Sequence, residues 1–115
     1  MTADLVAFLN ARLDEDEAHA RRGEEVFAAG WPDYQTFDSP ELTDAGRYLD
    51  HFGPARVLRE VEAKRAILAE HQAVCKLADL TGQEIGFLGW YREWVLKNVA
   101  AVYSDHPDYR PEWKP

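Results

Sequence analysis

The sequence predicts an all-α protein: a small antiparallel helical bundle of three long helices and one short helix, followed by an extended, proline-rich C-terminal tail. Three observations carry that expectation. Val57, Val61, Lys64, Leu68, His71, Cys75 and Ala78 recur with alternating spacings of four and three, the seam spacing of helices packed at a shallow angle. Ser39-Pro40-Glu41 and Gly53-Pro54 both read as helix starts, with proline at a first helical position where its missing N–H costs nothing. No stretch shows the period-2 alternation of β-branched residues that marks a strand.

Taken in order, the first helix is predicted from Ala3 to about Ala28. Thr2 stands as its N-cap and Asp4 sits where a helix N-terminus favours negative charge. Leu5, Phe8, Leu9 and Leu13 recur at helical spacing. Beyond them DEDEAHARRGEE offers a core little but alanine, and Gly23 is a place for a kink or fraying. Glu15 with His19, and Glu17 with Arg21, form i,i+4 pairs. Gly30-Trp31-Pro32-Asp33 ends the helix and opens a loop, in which Trp31, Tyr34 and Phe37 are read as anchors to the core. The short helix runs from Ser39-Pro40 to about Phe52 and offers Leu42, Tyr48, Leu49 and Phe52 to the core.

The long central helix restarts at Pro54 and stops at Thr81-Gly82. Its Arg56, Arg59, Lys64 and Arg65, interleaved with Glu60 and Glu62, read as an i,i+4 network. The last helix, about Gln83 to Tyr103, carries Ile85, Phe87, Leu88, Trp90, Tyr91, Trp94, Val95, Val99 and Val102, apolar residues over much of its circumference. Such a helix is either central in a bundle or half of an interface. Residues 1–115 are read as a single helical domain, with 104–115 as the extended tail.

Composition narrows the function classes. The chain has 115 residues, 46% of them hydrophobic and 30% charged, with a formal net charge of −8. That is the make-up of a folded domain with one core. Its acidity argues against direct nucleic-acid binding, which needs clustered Lys and Arg. Met1 to Asn10 lacks a basic n-region, and no window approaches the ~18 consecutive apolar residues of a membrane span. With Cys75 as the lone cysteine, no internal disulfide forms. The expectation is a cytoplasmic protein with no membrane association.

No catalytic signature is present. Nucleophile elbows and phosphate-binding glycine loops are missing. His71 and Cys75 are four apart on one helical face, a spacing at which both could ligand a metal, but two ligands do not complete a tetrahedron. His19, His51 and His71 stand on three different predicted helices, as three-histidine bundle sites require. Asp16-Glu17-Ala18-His19 echoes half of a di-iron motif in a polar stretch. Packing is the simpler account of each, so no catalytic residue, cofactor or metal ligand is assigned. What remains is the aromatic density of the last helix, where Trp90, Tyr91 and Trp94 cover different faces and a single buried stripe does not hide all three. Trp90, Tyr91 and Trp94 are the candidate interaction surface, since tryptophan and tyrosine concentrate at interfaces. The leading expectation is a non-enzymatic interaction or accessory protein with a protein partner or a second copy of itself, a homodimer. The alternative is a metal-binding bundle or metal-dependent enzyme using His71 with Cys75 and other histidines.

Three blocks, DLVAFLNARLDEDE (Asp4 to Glu17), GPARVLREVEAKRAILAEH (Gly53 to His71) and AAVYSDHPDYRPEW (Ala100 to Trp113), resemble in this order a family of small uncharacterised proteins, a domain of unknown function, found in actinobacteria and their phages. The EVEAKR helix and the DHPDYR-x-EW tail carry the likeness most specifically. The resemblance implies an intracellular origin and no particular activity. It implies in many relatives a Cys-rich segment, and so a small metal site, between the central helix and the tail. This chain departs there, with only Cys75 after His71. The tail's Tyr103, Tyr109 and Trp113 suggest docking on the chain's own helices.

Overall fold

The computed structural model describes residues 2–29, 39–83 and 86–115. Over these the protein is all-α, with no strand among the described residues. Helix α1 spans Thr2–Ala28, α2 Pro40–His51, α3 Pro54–Thr81 and α4 Gly86–Ala100; two short 3-10 turns follow at Ala101–Tyr103 and Pro111–Trp113. The expected loop anchors Trp31, Tyr34 and Phe37 lie outside the described residues. None of the described helices is long and apolar enough to cross a membrane. The chain divides into two compact units, Met1–Leu13 with Ala63–Pro115, and Asp14–Glu62.

In the first unit the opening turns of α1 behave as their spacing predicts. Leu5, Leu9 and Leu13 are at most 1% exposed, and Phe8 is buried beside them; residues three and four apart share one helical face. From α3 this unit buries Leu68 and His71, and from α4 Leu96 and Ala100. The seam positions of α3 in this unit keep their pattern, Leu68 and His71 buried with Lys64, Cys75 and Ala78 half-buried; in the other unit Val61 is buried and Val57 half-buried. Leu77 and Leu80, off the seam, stand exposed. Gly82 adopts φ +68° at the end of α3, the left-handed conformation that glycine supplies cheaply after a helix.

The tail is not extended throughout. Turns run through 104–108, and Pro111–Trp113 closes a 3-10 turn that buries Trp113. Proline at the start of that turn fits its fixed φ. The indole of Trp113 lies 4.9 Å from the ring of Phe8, and Tyr109 and Tyr103 meet the same ring edge-on at 6.0 and 6.3 Å. Arg110 Nη1 donates to Asp4 Oδ2 at 3.0 Å. The tail therefore docks on the N-terminal half of α1, through an aromatic cluster around Phe8.

In the second unit α1 runs on without interruption through Gly23. A kink was the expected use of this glycine, but its role is close approach: a Cβ there would stand 2.8 Å from Cγ of Pro54. Glu17 and Arg21 pair at 3.2 Å, as do Arg56 and Glu60 at 3.1 Å. Ser39 caps α2 as predicted, its Oγ accepting from the Leu42 N–H. The hydroxyl also donates to Glu41, which holds that carboxyl below the usual range. The face of α2 departs from expectation. Leu42, Tyr48, Leu49 and Phe52 are 44–63% exposed, and the buried residue of this helix is Gly46.

Candidate functional site

Helix α4 was expected over Gln83 to Tyr103. The α-helix occupies Gly86–Ala100, and its last turn tightens into the 3-10 turn Ala101–Tyr103. Tightening of this kind shares the carbonyls left unpaired at a helix end. Among the described side chains of α4, a narrow strip is buried, at Leu96 and Ala100. At 3.6 residues per turn, Tyr91 and Trp94 project roughly opposite that strip and Trp90 lies beside them. All three are exposed, Trp90 at 62%, Tyr91 at 48% and Trp94 at 43%, with Leu88 at 48%. The Tyr91 and Trp94 rings lie 6.1 Å apart. A cleft of about 210 Å³ at the end of this face is lined by Trp90, Trp94, Lys97 and Lys114.

His71 occupies its seam position as a buried residue, 6% exposed. Its Nε2 lies 3.6 Å from Cys75 Sγ, so the spacing of four does bring the two side chains together. Burial pushes the imidazole below the ordinary histidine value; the positive charge of Arg92 acts the same way, and Glu93 opposes it. A shallow groove of about 610 Å³ passes the pair, lined by Ala3, Val6 and Ala7 of α1 and by Gln72 and Lys76 of α3. On the other side, between α3 and α4, His71 also lines a smaller groove of about 190 Å³ with Ile67, Leu88, Val95 and Arg92. Arg92 is held there by Glu70, its Nη1 donating to Oε1 at 3.0 Å. His71 Nδ1 and Arg92 Nε are both buried and without a hydrogen-bond partner among the described residues. A buried polar group left in that state costs about 1–3 kcal/mol.

The metal alternative finds His71 and Cys75 in contact, whereas His19 and His51 belong to the other unit. There His51 Nε2 meets Arg56 Nη1 at 2.8 Å, which occupies it with a cation. Among the described residues, no group of three or more His, Cys, Asp or Glu side chains converges as a metal centre requires.

One polar cluster was not anticipated. Arg12, in the apolar stretch of α1, is 8% exposed and its Nη1 meets both ring nitrogens of His106. The Asp108 N–H donates to His106 Nδ1 at 3.0 Å, and the Asp108 carboxylate lies 3.7 Å from Arg12. The Arg12 guanidinium also lies over the Phe8 ring at 5.2 Å, a favourable cation–π placement. The available sequence signal was a charge on the apolar face of α1, three residues after Leu9 and one before Leu13. Together with Arg110 and Asp4, the cluster fastens the tail to α1.

A small all-α protein with a docked aromatic tail and an outward aromatic helix, and with no convergent catalytic set among the described residues, is the class these features define. The chain belongs to a family of unknown function, DUF6221, whose model matches residues 2–115. This agrees with the family resemblance of the three blocks. No curated protein and no solved structure matches the chain.

Proposed function

We propose that this is a non-enzymatic interaction protein that self-associates through the outer face of α4. The exposure of Trp90, Tyr91 and Trp94, three aromatic residues within two turns of one helix, carries the reading. Scattered exposed apolar residues are ordinary, but a contiguous aromatic face marks a surface that is covered in use. Tryptophan and tyrosine bury large areas at little entropic cost and dominate interface energetics. A second copy is the occupant that the sequence supports best, because an aromatic face is self-complementary across a two-fold axis. Lys97 and Lys114 bring positive charge to this end of a chain whose net charge is −8, which eases the approach of another acidic copy.

In this reading the helices of each copy pack as a small antiparallel bundle and the protein works in the cytoplasm as an accessory factor. The acidic surface left outside the dimer suits a basic protein target. Sedimentation at high micromolar concentration tests the association. The expected result is a dimer that Trp90→Ala with Trp94→Ala converts to monomer without loss of helicity. A wild-type monomer at that concentration would remove the proposal.

A further inference from the structure

We infer that the unit formed by residues 14–62 docks a basic amphipathic helix of a partner protein, which lays apolar side chains on the exposed face of α2 and into the cleft beside it while its lysines and arginines meet the surrounding carboxylates. The inference gives the basic target of the proposed function a place on the chain. It does not rest on self-association, since Trp90, Tyr91 and Trp94 belong to the other unit.

The charge of the chain is divided unevenly. Residues 14–62 hold 13 of the 21 Asp and Glu side chains but 5 of the 13 Lys and Arg, so the whole formal charge of −8 falls on this unit and the other balances to zero. On this acidic unit α2 presents Leu42, Tyr48, Leu49 and Phe52 to solvent. A spacing of seven returns Leu42 and Leu49 to one side of the helix, and the rings of Tyr48 and Phe52 lie 4.8 Å apart. A cleft of about 280 Å³ adjoins them, lined by Phe27 of α1, by Leu49 and Phe52, and by Val57 of α3; Asp16 and His19 of α1 line it too. It is smaller than the sites of about 300–1,000 Å³ that hold drug-sized ligands, which suits it to the anchoring side chains of a partner.

Charge decides which occupant fits an apolar face of this kind. A second copy brings the same face with the same charge of −8, and like charges brought together oppose the approach. Nucleic acid and anionic lipid are repelled for the same reason. A helix with lysines and arginines around an apolar stripe answers both features of the unit. Its stripe covers the exposed side chains, and its cations turn the repulsion among the carboxylates into attraction. Length agrees as well: α2 has 12 residues and is about 18 Å long at the helical rise, a span that an amphipathic helix of about three turns covers.

A synthetic amphipathic helix of leucine and lysine is the probe. Its controls are a scrambled peptide of equal composition, which keeps the charge and loses the stripe, and a peptide with glutamate in place of lysine. Titrated into isotope-labelled protein, the amphipathic peptide is expected to shift the methyl signals of Leu42, Leu49 and Val57 saturably, with a Kd in the micromolar range that weakens as salt is raised. The scrambled peptide should bind at least about tenfold more weakly, and the glutamate peptide should not bind. Leu49→Ala with Phe52→Ala, both at exposed positions, should weaken the response at least about tenfold. Asp44→Asn with Asp50→Asn should weaken it and flatten its salt dependence. Equal binding of either control peptide, no saturable shift at these methyls, or shifts confined to the Trp90 and Trp94 indole signals would each overturn the proposal. So would movement of the same methyl signals when the native chain alone is concentrated, which assigns the face to a second copy, or when zwitterionic vesicles are added, which assigns it to lipid. The peptide comparison uses only the native chain, so it stands even if a variant fails to fold. The Trp90→Ala, Trp94→Ala double variant should keep the peptide response while losing self-association, which separates the two readings.

Discussion

Two residues show how a single position takes its meaning from its neighbours. Gly23 reads in the sequence as a weak point within a helix, where alanine would ordinarily add up to about 1 kcal/mol of stability. With Pro54 Cγ 2.8 Å from the place of the new Cβ, the pyrrolidine ring must move, and overpacking of this sort costs about 1–3 kcal/mol. Gly23→Ala is therefore expected to destabilise the protein by about 1 kcal/mol in urea unfolding, and Pro54→Ala in the same chain should relieve most of the loss. His71 gives a signed pH effect. Its proton is bound less tightly in the folded protein than in the unfolded chain, where the ordinary value of 6.5 applies. As pH falls below 6.5, the unfolded chain takes up a proton that the folded one does not, so stability declines until pH passes below the folded value. Urea midpoints between pH 7.5 and 5 should fall more steeply for the native chain than for His71→Leu; parallel slopes would contradict this assignment.

At the scale of elements, the seam of α3 was legible and the outward face of α4 was not, for one physical reason. Spacing states which residues of a helix share a face, and in α3 one face is apolar enough to choose its own direction. Lys64 sits on that seam with its ammonium 5.3 Å from the Tyr103 ring, so even the charged member has an aromatic contact. In α4 nearly every direction is apolar, so periodicity does not choose, and among the described side chains Leu96 and Ala100 are the buried ones. The same limit applies to α2, whose Leu42, Tyr48 and Leu49 lie outside while Gly46 is buried. The tail is an element by virtue of docking. Trp113, 3% exposed, is its anchor, and Trp113→Ala is expected to cost about 3–5 kcal/mol. Amide exchange across 104–114 should then approach that of an unprotected chain while α4 keeps its protection, if docking and not local turn structure orders the tail.

For the whole molecule, self-association has a thermodynamic signature independent of any image of the interface. A dimer that forms only from folded chains makes Tm rise with protein concentration. Calorimetry over a hundredfold range of concentration is expected to show that rise for the native chain and a flat response for the Trp90→Ala, Trp94→Ala double variant. Assignment of residues 2–115 to one family of unknown function makes these surfaces testable beyond a single chain.

By itself the sequence determined the all-α class, the Ser39 and Pro40 start of α2, the stop of α3 at Thr81-Gly82, the seam from Val57 to Ala78, and the meeting of His71 with Cys75. These are local matters: capping, backbone freedom and spacing act within a few residues. Tertiary structure alone decided that Arg12 closes on His106, 94 positions away, that Gly23 lies against Pro54, that α4 turns its aromatic face outward, and that His71 and Arg92 line one groove. Each of these depends on which distant surface arrives beside a helix, and composition and periodicity hold no information about that arrival.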